Sequence, residues 1–339
     1  MKCVSISGEK KLVLKEIDKP TSRNGSVVIE VKSCGICGSD IHNWEMGVPV
    51  GLVMGHEFSG SVVDPGSRDD LKIGDKVTGL PISPCMKCQA CLTGNYQYCS
   101  DTWTYAVGLS LDNSGGYAEY TSCRPDMVRK LPSNVSYDAA CMIEPSAVGL
   151  HAVNLADIKI GDKVLIVGGG IIGLMAAEFA KMNGAGYIAL IETNKKRGRK
   201  AVSYGKIDDY FDALDEKLIP NLITKTNGGF DKVIECCGVE SAVNEALMCV
   251  KPGGTVVLVG VSPVSIKVPT MVSVLKEVKM QGAIAYRTEE FDQCLKLVAN
   301  KKINVLKYID DFITLDKAQD AFERLTNGKD SAVKIVFKP

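Results

Sequence analysis

Lys163–Gly173 reads KVLIVGGGIIG. Val164–Val167 is an unbroken apolar, β-branched-rich run, short enough for a strand buried on both faces. Gly168, Gly170 and Gly173 follow at once in the spacing G-x-G-x-x-G, and a helical stretch runs through Ile172–Met182. A buried strand, a glycine turn and a helix in immediate succession form a nucleotide-binding unit. Glycine lets the backbone turn tightly and approach a pyrophosphate, and the helix N-terminus offers free N–H groups and a positive dipole end. Ile171 and Ile172 lie in the turn and join the contact set. The structural alternative is a plain strand–helix turn.

The pattern extends outward from that turn. Tyr187–Glu192 (YIALIE) is the next strand, and Glu192 stands nineteen residues past Gly173. A carboxylate there accepts from both adenosine ribose hydroxyls and repels a 2′-phosphate, which favours NAD over NADP. Lys195, Lys196 and Arg197 follow directly. They read either as a solvated helix start or as tolerance for a phosphate, and Arg197 is counted with the cofactor contacts. Lys232–Cys236 (KVIEC) and Thr255–Val259 (TVVLV) are further strands. Strands alternating with helical stretches imply an α/β fold with a doubly wound parallel sheet covered on both faces.

Before about residue 150 the rhythm differs, with short strands such as Val27–Lys32 among Gly and Pro turns. The last fifty residues are mixed, with a helical stretch at Asp316–Leu325 and a closing strand at Ala332–Phe337. A length of 339 residues suits two domains. Lys+Arg and Asp+Glu balance at 40 each, so neither nucleic acid nor a membrane surface is expected as a partner. There is no bilayer-length apolar run, and MKCVSISGEKK lacks the apolar core of a signal peptide. Thirteen cysteines without an export signal suit a reducing cytoplasm.

Cys85, Cys88, Cys91 and Cys99 lie in the run CMKCQACLTGNYQYC. Four thiolates so spaced can surround one tetrahedral ion, and zinc most often takes four sulfurs. An iron–sulfur run closes with a shorter gap and Cys-Pro, whereas Ser100 follows here, so a structural zinc is preferred. Four unlinked thiols are the plain alternative. Histidine occurs at only three positions, His42, His56 and His151. The first two lie in Cys34–His42 (CGICGSDIH) and Gly55–Glu57 (GHE). A Cys, a His and a Glu in glycine-flanked segments point to a second metal site. His151 and Asp40 read as structural.

CGICGSDIH, GHEFSG, the four-cysteine run, GGYAEY, EPSAVGLHA and VGGGIIG occur in the order seen in zinc-dependent medium-chain dehydrogenases. The chain resembles that family along nearly its whole length. Glu144-Pro145 resembles its polyol branch: sorbitol, butanediol, galactitol-phosphate and threonine dehydrogenases. The resemblance implies a GroES-like, mostly-β catalytic domain at 1–147 and 287–339, with a Rossmann domain at 148–286 and the active site in the cleft. It implies a catalytic zinc held by Cys37, His56 and Glu144, with Glu57 as ligand or close neighbour, so that two zinc ions bind per chain. A Cys, His, Glu set is harder than two Cys and one His and leaves the zinc a stronger Lewis acid. Ser39 and His42 match the family's proton relay; the plain alternative is a helix start and a surface histidine.

The expected reaction is reversible NAD-linked oxidation of a secondary hydroxyl on a polyol, diol or sugar derivative. The alternatives are a phosphorylated polyol or threonine as substrate, with Arg287 as a candidate phosphate contact, or a catalytically silent zinc-binding homologue. The family also implies a homodimer or homotetramer, for which Val256–Val264 and Val272–Ile284 are apolar enough.

Overall fold

The computed structural model describes residues 1–328 and 330–339. The chain divides into two compact units, Met1–Pro145 with Arg287–Pro339, and Ser146–Tyr286. The first boundary falls inside the helix Ile143–Ala156.

The first unit opens with an antiparallel hairpin, β1 (Lys2–Gly8) and β2 (Lys11–Glu16). Its framework continues with β3 (Val27–Gly35), β4 (Glu57–Asp64), β5 (Lys76–Gly79), β6 (Tyr120–Cys123) and β7 (Val128–Lys130). β3 runs three residues beyond the expected Lys32, because Ser33, Cys34 and Gly35 are also buried and still pair with β4.

In the second unit β8 (Lys163–Val167), β9 (Tyr187–Glu192), β10 (Asp209–Asp212), β11 (Phe230–Glu235), β12 (Val250–Leu258) and β13 (Lys279–Gly282) form a parallel sheet. The spatial order is β10-β9-β8-β11-β12-β13. The chain therefore winds outward twice from β8, and the order reverses between β8 and β11, where a doubly wound sheet opens its ligand crevice. Leu165, Val167, Ile191, Phe230, Val233 and Val256 fill the sheet side of a core closed by Leu222, Val243 and Leu247 from helices. β10 and β13 are the sheet's edges and had no clear strand pattern, since DYFD is half-buried and KMQG largely exposed.

The chain then returns to the first unit through β14 (Ile309–Ile313) and β15 (Lys334–Phe337). They complete the sheet β14-β15-β3-β4-β5-β7, with β6 also pairing β3. The last strand thus ends up next to the longest one, and Lys334 becomes an interior residue. Among the described residues no helix is long and apolar enough to cross a membrane.

Candidate active site

Antiparallel pairing of β3 and β4 sets Gly35 opposite Glu57. The chain leaving β3 and the chain entering β4 are therefore neighbours, which brings Cys37 to His56 and Glu57. One donor atom from each of these three residues lies within 4.8 Å of the other two. Sulfur and nitrogen ligands on one tetrahedral zinc lie about 3.5 Å apart, so the cluster fits an ion of that kind. Cys37 is the N-cap of the helix Gly38–Met46.

Asp40, in the first turn of the same helix, is fully buried. Its Oδ2 accepts from the Cys37 backbone N–H at 3.1 Å and from the Tyr117 hydroxyl at 2.6 Å. Its Oδ1 faces His56 Nδ1 at 3.6 Å, and neither of these atoms has a hydrogen bond. With Nδ1 turned to a carboxylate, Nε2 is the ring atom available to a metal. Burial opposes charge on the ring, but Cys37 and Asp40 outweigh it and push the His56 pKa well up.

Glu57 has a different partner. Its Oε1 and Oε2 accept from Lys334 Nζ at 2.8 and 2.7 Å, and the same ammonium donates to the Ile36 carbonyl at 2.7 Å. Both side chains are wholly buried. Burial works against the Lys334 charge, yet Glu57 outweighs it and raises the lysine's pKa. Of the four expected ligands of the catalytic zinc, the structure brings three together. Glu144 is 8% exposed in the first turn of the helix Ile143–Ala156 and does not join the mutually close donors. Ser39 is half-buried in the first turn of the helix Gly38–Met46, and His42 lies three residues on with its side chain 37% exposed, 3.9 Å from Glu45.

Cys85, Cys88, Cys91 and Cys99 also converge. Cys91 Sγ lies 3.9 Å from Cys85 Sγ and 3.6 Å from Cys88 Sγ. Four sulfurs tetrahedrally arranged on one zinc would be about 3.8 Å apart, so these thiols already have the spacing of a zinc cage. The backbone N–H groups of Lys87 and Cys88 draw the Cys85 thiol down to about 6, towards the thiolate a metal needs.

In the second unit Gly168 has φ +104°, open to glycine and costly for other residues, and a Cβ on Gly173 would meet the Gly168 carbonyl oxygen at 2.0 Å. These two positions let the helix Ile171–Met182 start hard against the end of β8. A pocket of about 260 Å³ lies there, lined among others by Gly168, Gly170, Glu192 and Arg197. Glu192 Oε2 accepts from Gly169 N–H (2.8 Å) and Arg197 Nε (3.0 Å). Its Oε1 accepts from Asn194 N–H (2.8 Å) and Arg197 Nη2 (2.9 Å). Burial would raise its pKa, but Arg197 and these amides reverse the effect and hold it below the usual range. Arg197 therefore lies across the carboxylate.

Two family models match the chain: an alcohol dehydrogenase GroES-like domain at residues 23–133 and a zinc-binding dehydrogenase domain at residues 172–300. The chain is 32% identical to (R,R)-butanediol dehydrogenase of Bacillus subtilis over the full length of both. It is 31% identical to D-xylulose reductase A of Aspergillus oryzae over 89% of this chain and 87% of that one. The chain belongs to the zinc-dependent medium-chain dehydrogenases. Within them it falls in the polyol branch. The crystal structure of the Bacillus subtilis 2R,3R-butanediol dehydrogenase superposes with a TM-score of 0.87, covering 100% of this chain and 99% of that one. Escherichia coli galactitol-1-phosphate dehydrogenase, 26% identical, superposes at 0.89 over all of both chains. A zinc-binding dehydrogenase from Sinorhizobium meliloti, 28% identical and bound to NADP, superposes at 0.88 over 100% of this chain and 99% of that one.

This medium-chain dehydrogenase is thus a zinc-dependent oxidoreductase with an NAD(P)-type Rossmann unit. Two residues around its metal-type cluster were not recognised from sequence. Asp40 read as structural, and its partners Tyr117 and His56 come from other segments. Lys334 had one signal, a lone lysine inside the apolar strand AVKIVF. Arg287, weighed as a phosphate contact, lies beside Gly94 of the four-cysteine lobe and 3.6 Å from Glu289.

Proposed function

We propose that this dehydrogenase reversibly oxidises a secondary hydroxyl of a polyol, diol or sugar derivative to the ketone, with NAD as hydride acceptor. The observation that carries the reading is the Cys37, His56, Glu57 cluster, held from behind by Asp40 and Lys334. Relatives named for butanediol, xylulose and galactitol 1-phosphate support a small polyhydroxyl substrate. Cys37 and His56 hold the catalytic zinc, Glu144 completes the protein set as in the polyol pattern, and Glu57 stays tethered beside it by Lys334. Cys85, Cys88, Cys91 and Cys99 hold a second, structural zinc.

When bound, the catalytic zinc supplies a Lewis acid that lowers the pKa of a hydroxyl, and the nicotinamide supplies the hydride acceptor. The chain's own residues orient the partners and move the proton. Ser39 would take the proton that the substrate hydroxyl loses as its own hydroxyl proton moves on, and His42, one turn along the same helix and partly exposed, would release a proton to solvent at the far end of the relay. Asp40, facing His56 Nδ1, would hold the ring so that Nε2 is left for the metal. Gly168, Gly170 and Gly173, with Ile171 and Ile172, present backbone to the pyrophosphate, and Glu192 takes the ribose, which supports NAD over NADP. Arg287, beside Gly94 and 3.6 Å from Glu289, adds no support to a phosphorylated substrate.

The dehydrogenase self-associates through the edge strand β13, which pairs only with β12 among the described residues. Val261, Val264, Met271, Val274 and Leu275 are exposed on that unit, an apolar surface that a second copy would cover. None of the thirteen cysteines is paired in a disulfide, which fits a reducing cytoplasm. The test is a screen for NADH formation over polyols, diols, sugar phosphates and threonine, with zinc counted on the same sample. Turnover on one polyol group with two zinc ions per chain is expected. Turnover on threonine alone, or two zincs with no turnover on any polyol or diol, would overturn the reading.

A further inference from the structure

The pocket at the end of the nucleotide sheet has a wall that the pyrophosphate and ribose contacts leave unused. The helix Glu240–Cys249 contributes Ser241 and Glu245 to that lining, together with Ala242. Four residues apart, the two polar side chains stand one turn from each other on one face of the helix. Among the described residues neither finds a hydrogen-bond or ion-pair partner. The Glu245 carboxyl has its pKa raised by burial and by nothing else. Val239, Ala213 and Ile191 give the lining apolar surface for a ring, beside the thiols Cys236 and Cys237 and the Glu192–Arg197 pair. Ser241 is exposed and Glu245 half-buried, so both keep free hydrogen-bonding capacity turned to a ligand that enters the pocket.

Adenine has the complementary edge. Its exocyclic amine donates, and the ring nitrogens beside it accept. We propose that Glu245 and Ser241 read the base of the dinucleotide, the carboxylate accepting from the adenine amine and the hydroxyl donating to a ring nitrogen. A 6-keto purine presents an acceptor where adenine presents the amine, so the carboxylate repels it. The inference rests on the reading of this pocket as the NAD site, and it makes that site selective for the base as well as for the ribose.

The probes are NADH and reduced nicotinamide hypoxanthine dinucleotide, titrated by fluorescence into the full-length, zinc-loaded dehydrogenase. The wild type should prefer the adenine form by at least about tenfold, the scale of one hydrogen bond to a charged group. Glu245→Gln can both donate and accept, so it should bring the two affinities to within about threefold, chiefly by tightening the hypoxanthine form. Ser241→Ala should weaken NADH while zinc content is unchanged. Equal affinity of the wild type for both probes, or a Glu245→Gln variant that keeps the wild-type preference, overturns base reading and leaves the NAD site standing. Failure of the wild type to bind either probe removes the NAD reading and this inference together.

Discussion

Replacing Lys334 by methionine strands a carboxylate that has no path to water. Glu57 is wholly buried, and both of its oxygens and the Ile36 carbonyl lose the same donor. Breaking a buried pair by removing one partner costs about 3–5 kcal/mol. A second route to the size comes from protonation. A stranded carboxylate is relieved by taking up a proton, at about 1.4 kcal/mol for each pH unit above the usual range near 4.3, or about 3.7 kcal/mol at neutral pH. The two estimates agree. For a unit of roughly 200 residues this lowers the melting temperature by roughly 6–20 °C.

The pH dependence separates this mechanism from a packing defect. In the wild type the lysine's pKa is raised, so its contribution is present throughout the neutral range and is lost only as pH rises through that raised value. In Lys334→Met the stranded acid binds a proton more tightly folded than unfolded, so the variant loses stability as pH rises above the ordinary carboxylate range. The deficit should therefore shrink towards about pH 5 and grow towards about pH 7. Thermal unfolding at both pH values, with and without zinc, is the assay, and Lys334→Met/Glu57→Leu should recover much of the loss because it removes the charge as well. If the released Glu57 turns to the metal, the deficit will be smaller in the zinc-loaded protein than in the chelated one. A pH-independent deficit, or a double variant no more stable than Lys334→Met, would refute the reasoning.

Gly173→Ala puts a methyl 2.0 Å from the Gly168 carbonyl oxygen, so NADH binding should fall at least about tenfold by fluorescence titration with zinc content intact. Cys91→Ser should release one zinc equivalent and make the segment around Cys85–Cys99 protease-sensitive, whereas Cys37→Ala should release the other and abolish turnover without opening that segment. Glu192→Ala should lower kcat/KM for NAD relative to NADP by about tenfold or more, and an unchanged ratio would show that Arg197 already cancels the carboxylate. Leu275→Asp should yield a smaller species by sedimentation if the exposed apolar face is the self-association surface.

Legibility in this chain follows sequence distance. β8 was readable to its end residues because both of its faces are buried, leaving a continuous apolar run closed by glycine. β10 and β13 were not, because an edge strand exchanges one covered side for charged or exposed residues and loses the pattern that marks a strand. The four-cysteine lobe was legible because its donors span fifteen residues, and a local loop can bring them together unaided. Cys37 and His56 were recognisable only by motif, since their meeting depends on β3 pairing with β4. Lys334 stands 277 residues from Glu57, and no local rule links the two. Yet Ala332 and Val336, the neighbours of Lys334 on its own face of the strand, are apolar, which points to an interior position that a lysine can occupy only beside an anion, and the residue that meets it is the glutamate beside the metal-type cluster. A buried charge in an otherwise apolar strand is therefore a signal about a distant partner. The lysine announces that an interior acid exists, and only the pairing of the closing strand with β3, itself paired to β4, shows that the acid is Glu57.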